Sequence, residues 1–153
     1  IVVQAPGGGL TVISRSMANK NDFRLADIPA GKRQRGQWET NEMAKVLDKL
    51  ELLDLKTLDE VPMRRDKLYK ATMETFEGLL IHTRAIRLGK KFWVSFSAST
   101  ASMVTDKKKV KEAADAFNTR HKGFAYEVKE KTGKKLMCDH KNLLEGAGLK
   151  ACA

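Results

Sequence analysis

Between Phe92 and Ala98 the chain alternates strictly, with Phe92, Val94 and Phe96 at one parity and Trp93, Ser95 and Ser97 at the other. Successive side chains of a strand point to opposite faces, so this period of two commits the segment to a strand with one apolar face. The stretches around it carry helical spacing instead, and a chain that switches between the two periods belongs to a mixed class. From Thr40 to Leu53, the residues Met43, Val46, Leu47, Leu50 and Leu53 recur at helical spacing, and Thr40 or Asn41 suits the cap. Pro62 fits the first turn of a second, long helix reaching Leu88. Its stripe would be Leu68, Thr72, Phe76, Leu79, Leu80, Thr83 and Ile86, with Gly89 just past its end.

Thr105 or Asp106 caps a third helix to about His121, with Val110, Ala113, Ala114 and Phe117 inward and Gly123 ending it. Phe124–Val128 and Leu136–Cys138 read as two strands joined through Lys131, Thr132, Gly133 and Lys134. The implied fold class is α+β: two N-terminal helices, one of them long, then a strand, a third helix and a C-terminal β-hairpin. These would form a small antiparallel sheet packed on helices. At 153 residues the chain suits one domain, assigned to residues 39–145. Residues 1–38 read as a flexible basic arm and residues 146–153 as a frayed tail. The chain opens on Ile1, and Met17 followed by Ala18 makes a natural start, so residues 1–16 read as a non-native extension. The apolar opening from Ile1 to Ile13 lacks a positive leading region and is broken by Pro6 and three glycines, which makes it a poor signal peptide.

Charge is the extreme quantity: 29 Lys and Arg face 19 Asp and Glu, a net +10. Such a surplus attracts phosphate backbones. It is uneven, because residues 1–38 hold six bases and two acids, 39–62 three and seven, and 63–122 fourteen and six. Three clusters follow. The arm offers Lys32, Arg33, Arg35 and Trp38, where guanidinium groups beside an aromatic suit phosphate contact and base stacking. The end of the long helix gathers Arg84, Arg87, Lys90 and Lys91. Lys107, Lys108, Lys109 and Lys111 crowd the start of the third helix, against the helix dipole but beside free backbone N–H groups that suit a phosphate. The hairpin behind it adds Lys129, Lys131, Lys134 and Lys135. Arginine, the usual reader of base edges, is scarce in the helix and hairpin.

The expected function is therefore nucleic-acid binding through the phosphate backbone, with little sequence specificity, in a regulatory, packaging or accessory role. DNA and RNA are not distinguished. The alternative is a protein–protein module, an inhibitor or assembly subunit, using the acidic first helix (Asp48, Glu51, Asp54) and Trp38 or Trp93, or associating with itself. No enzyme is expected. Cys138 and His140, with His121 and Cys152 only loosely available, do not make the four ligands at recognisable spacing of a structural zinc site. Nor does Cys138 with either histidine form a marked nucleophile–base pair. Gly31-Lys32 lacks the rest of a phosphate-binding loop, and no cofactor is expected. Two cysteines do not make a disulfide framework, and reduced thiols point to a cytoplasmic, nucleoid or nuclear setting. No apolar run approaches the roughly 20 residues that cross a bilayer, so no membrane partner is expected.

Overall fold

The computed structural model describes residues 1–146 apart from Lys20 and Lys49, and of Arg65 only the backbone. In chain order the elements are β1 (Val2–Gln4), β2 (Leu10–Ser14), β3 (Arg24–Leu25), α1 (Gln37–Ala44), β4 (Leu52–Thr57), β5 (Tyr69–Glu74), β6 (Leu79–Leu88), β7 (Lys91–Thr100), α2 (Lys107–His121), β8 (Phe124–Val128) and α3 (Glu130–Leu136). Among the described residues the eight strands form one antiparallel sheet in the order β3-β2-β1-β5-β6-β7-β8-β4. Sheet dominates and helices are few, which overturns the expected small sheet on two N-terminal helices.

The long helix expected over 62–88 is instead two strands. Tyr69, Ala71 and Met73 face one way and Lys70, Thr72 and Glu74 the other, and this alternation decides the matter against the helical stripe. The chain then reverses through Thr75–Gly78. Gly78 takes φ +90°, and a Cβ on it would lie 2.1 Å from Val104 Cγ1. Only glycine both adopts that conformation readily and leaves that space. β6 returns to pair with all of β7, from Leu79 opposite Thr100 to Leu88 opposite Lys91.

The first helix is also shorter than its spacing suggests. α1 stops at Ala44, and Val46, Leu47 and Leu50 reach the core from the turns that follow. Leu52–Thr57 then runs extended because it closes the free side of β8. The expected C-terminal hairpin is absent too: Phe124–Val128 lies between β7 and β4, and Glu130–Leu136 is helical. The strand at 92–98 and the helix beginning after Asp106 hold. Asp106 caps α2, accepting from the Lys109 N–H at 3.0 Å.

Residues 1–38 contribute three strands. Val3, Ile13, Phe23 and Leu25 are buried with Met43 and Ala44. The segment around Arg33 is tied to 143–145: Arg35 N–H donates to the Leu143 carbonyl at 2.7 Å, and Glu145 N–H to the Arg33 carbonyl at 2.9 Å. Residues 147–153, the rest of the expected frayed tail, lie outside the described residues.

The helices share one face of the sheet, the face of Phe92, Val94, Phe96 and Ala98. Asn118 of α2 grips Ala98 there, accepting from its N–H at 2.7 Å and donating to its carbonyl at 2.9 Å. Gly133 of α3 sits over the Phe92 ring. On the opposite face, Leu58, Val61, Met63 and Leu68 cover Ile86, Trp93 and Ala125. Toward β5 and β1, among the described residues, the cover ends and that face lies open, with Val2, Gln4, Lys70 and Arg84 exposed.

Candidate nucleic-acid interface

The open face is built by strand register alone. Lys70 of β5 stands directly opposite Arg84 of β6, and Arg84 opposite Ser95 of β7. The next row joins Thr72, His82 and Ser97. Lys70 and Arg84 are both exposed, and among the described residues neither has an ion pair. Like charges directly across two strands destabilise a sheet, so this pair works against folding unless an anion sits over it.

The neighbouring polar groups are fixed in place. His82 Nδ1 lies 3.1 Å from Thr72 Oγ1 and its Nε2 lies 2.7 Å from Ser99 Oγ, so one imidazole ties three strands together. A serine beside a histidine suggests nucleophile and base, but the third group here is a hydroxyl. A carboxylate in that place would orient the ring and stabilise its cation. What the row offers is hydroxyl and imidazole hydrogen bonds beside two cations, a set that suits phosphate oxygens.

The other expected contacts divide sharply. Lys135 Nζ lies 2.5 Å from Glu42, Lys129 pairs with Glu51, and Lys134 lies 3.0 Å from Glu130. Glu51 and Glu42 of the acidic segment therefore neutralise Lys129 and Lys135 around a small cavity of about 270 Å³, which the exposed Lys131 also lines, while Lys134 pairs within α3. On α2, Lys111 is 2.6 Å from Asp115, while Lys107, Lys108 and Lys109 are exposed without ion pairs among the described residues. One of the N–H groups expected to receive a phosphate there, that of Lys109, already meets the Asp106 carboxylate.

Arg84 is separated from the residues grouped with it. Arg87 points to the helix-bearing face, donating Nε to the Gly89 carbonyl at 2.9 Å with its guanidinium over Phe92. Lys90 sits exposed in the turn between β6 and β7. Lys91 holds Glu127 at 2.6 Å and lies beside the Trp93 ring. In the N-terminal segment, Lys32 and Arg33 are exposed, and Arg35 is half-buried with its Nε 3.6 Å from Glu39. Trp38 is 63% exposed, whereas Trp93 is buried and offers nothing to a partner.

The sequence reading missed Lys70, Thr72 and His82 as one surface. Their signal was the alternation in 69–74, which a helical stripe also accommodates. The candidate metal and nucleophile residues have structural roles. Cys138 is disulfide-bonded, which corrects the expectation of reduced thiols; the other cysteine, Cys152, lies outside the described residues. His140 Nε2 lies 3.0 Å from the Ala26 carbonyl. His121 belongs to an aromatic cluster with Phe96, Phe117 and Tyr126, its Nδ1 3.0 Å from Tyr126 Oη. Burial there pushes the Tyr126 phenol above its ordinary value.

A groove of about 660 Å³ lies between the turns after α1 and the β5–β6 hairpin. Arg15 and Lys45 face Asp48, Glu74 and Glu77 within it, so its charges oppose one another and it presents no field for a polyanion. Among the described residues, no helix is long and apolar enough to cross a membrane. No protein-family model, curated protein or solved structure matches the chain.

Proposed function

We propose that this chain binds nucleic acid through phosphate contacts, with little base reading, in a regulatory, packaging or accessory role. The observation that carries the proposal is the directly opposed pair Lys70 and Arg84 on the open sheet face. Two cations held side by side without an acid, next to His82, Thr72 and Ser97, form a ready counter-surface for adjacent phosphates. The exposed lysines at the start of α2 and in the β6–β7 turn extend the positive field beyond that face. Trp93, the large aromatic of that face, does not stand free to stack on bases, since it is covered by the 58–68 segment. Backbone contact therefore prevails over base recognition.

Compartment belongs to the same proposal. An intracellular setting was expected from reduced thiols, and the bonded Cys138 removes that support, because disulfides persist in oxidising compartments. A face that contacts phosphates through surface charge works in either setting.

The test is binding of short labelled single- and double-stranded DNA and RNA across a salt series. Log-linear weakening with a slope of several ions is the expected result. Absence of binding at low salt, where a protein of net +10 meets its strongest attraction, overturns the proposal.

A further inference from the structure

We propose that the outer edge of the sheet, strand β4, pairs with β4 of a second copy of this chain, antiparallel, with Leu55 on the twofold axis. The proposal does not rest on nucleic-acid binding. Among the described residues, β4 pairs only with β8, so its other side is an edge. Leu52, Leu53 and Leu55 are 48%, 56% and 53% exposed, which is unusual for three large apolar side chains in six residues of an open edge. Proteins ordinarily blunt such an edge, because its unpaired N–H and C=O groups and apolar side chains invite another strand.

The hydrogen-bond phase identifies which groups are on offer. Leu58 N–H donates to the Gly123 carbonyl at 3.0 Å, so Leu58, and with it Lys56 and Asp54, turn their backbone groups toward β8. Leu55 and Thr57 consequently turn theirs outward. Both outward N–H groups are capped by nearby carboxylates: Leu55 N–H donates to Asp54 Oδ1 at 2.8 Å, and Thr57 N–H to Glu60 Oε2 at 2.9 Å. These caps satisfy the donors while the edge is free, and a partner carbonyl replaces them when it is paired.

Charge selects the occupant. With Leu55 opposite Leu55 of the second copy, each Asp54 stands opposite a Lys56 on the face that carries Ala125 and Trp93, and the exchange occurs twice. Lys56 has no acid partner among the described residues; its ammonium lies 5.6 Å from the Trp93 ring centre. Asp54 is released by the N–H it had capped. In this register Leu55 and its copy exchange both hydrogen bonds, and the two ion pairs fall at the closely approached positions on either side. A one-residue slip would put these side chains on opposite faces of the joined sheet, so the register is specified.

The experiment is solution mass against concentration, by sedimentation or light scattering, for the intact chain and three variants, with thermal melting to confirm folding. The wild type is expected to reach twice the monomer mass. Asp54→Lys and Lys56→Asp each place like charges opposite one another twice, and should weaken the dimer about tenfold or more. The double variant D54K/K56D restores opposite charges in swapped places and should restore the dimer, a rescue that damage to the fold would not give. A wild type that stays monomeric at the highest attainable concentration overturns the proposal and leaves the edge to a strand of different chemistry. A double variant no more dimeric than either single one overturns it as well.

Discussion

Replacing Lys70 and Arg84 by Gln together should strengthen the fold slightly and weaken nucleic-acid binding strongly, two effects of opposite sign from one change. The stability term follows from register. Directly opposed residues hold their Cβ atoms about 5 Å apart, and the charged ends splay to about 8 Å. In water at that distance the repulsion is about 0.5 kcal/mol, and screening over a Debye length of about 8 Å reduces it to about 0.2 kcal/mol at physiological salt. Removing the pair should therefore raise the urea midpoint at low ionic strength and leave it nearly unchanged in high salt.

The binding term is larger because it scales with counterions. Each phosphate contact contributes about 0.9 to the slope of log affinity against log salt on duplex, and about 0.7 on single strands. Losing two contacts lowers the slope by about 1.8 on duplex, which near 0.1 M salt is about a 60-fold loss relative to molar salt. Lys129→Gln is the control, since that lysine is already committed to Glu51 and its loss should leave the slope unchanged. The triple variant of Lys107, Lys108 and Lys109 to Gln reports how much α2 shares in the contact. If the Lys70/Arg84 variant keeps the wild-type slope, or Lys129→Gln loses as much, the open face is not the interface.

Other consequences are separable from function. Gly133→Ala should destabilise by up to about 2 kcal/mol in urea unfolding: alanine favours a helix by about 1 kcal/mol, but its Cβ would lie 2.2 Å from Phe92 Cγ, and overpacking costs about 1–3 kcal/mol. A more stable variant would show that α3 is not seated on that ring. Thr83→Val should stabilise by about 1 kcal/mol, because the Thr83 hydroxyl is buried without a hydrogen-bond partner; a loss of stability would mean that the hydroxyl is satisfied in solution. Both tyrosines titrate high, Tyr69 through burial and then Asp139, Tyr126 through burial. Their protonated forms are favoured in the folded state, so that stability is fully present below the ordinary value of 10.0 and is lost as pH rises through the folded values. Phenolate absorbance should appear later in folded than in urea-unfolded protein, and coincident curves would contradict the burial of both rings.

What could be read in the chain beforehand was what local chemistry decides alone. Asp106 caps α2 because its carboxylate reaches the Lys109 N–H three residues on, and Phe92–Ala98 is a strand because no helix places Trp93 and Val94 on opposite faces as this core requires. The segment 62–88 fits both periods: Leu68, Thr72, Phe76 and Leu79 satisfy a helical stripe, while Tyr69, Ala71 and Met73 satisfy a strand. What settles it is non-local, since β5 and β6 each need neighbours that lie elsewhere in the sequence, β1 on one side and β7 on the other. The candidate site depended on the same step. Lys70 and Arg84 are fourteen positions apart and on a helix would not be neighbours. Only the β5–β6 register sets them opposite one another, as it sets Thr72 beside His82. Conversely, the lysines after Val128 looked free because Glu42 and Glu51 are remote in sequence, yet the fold brings those carboxylates to them. Net charge thus survives folding, but which cations remain to meet a ligand is a property of the pairing. That is why, among the described residues, Lys70 and Arg84 keep no ion pair on the open face while Lys129 and Lys135 are paired beside α3.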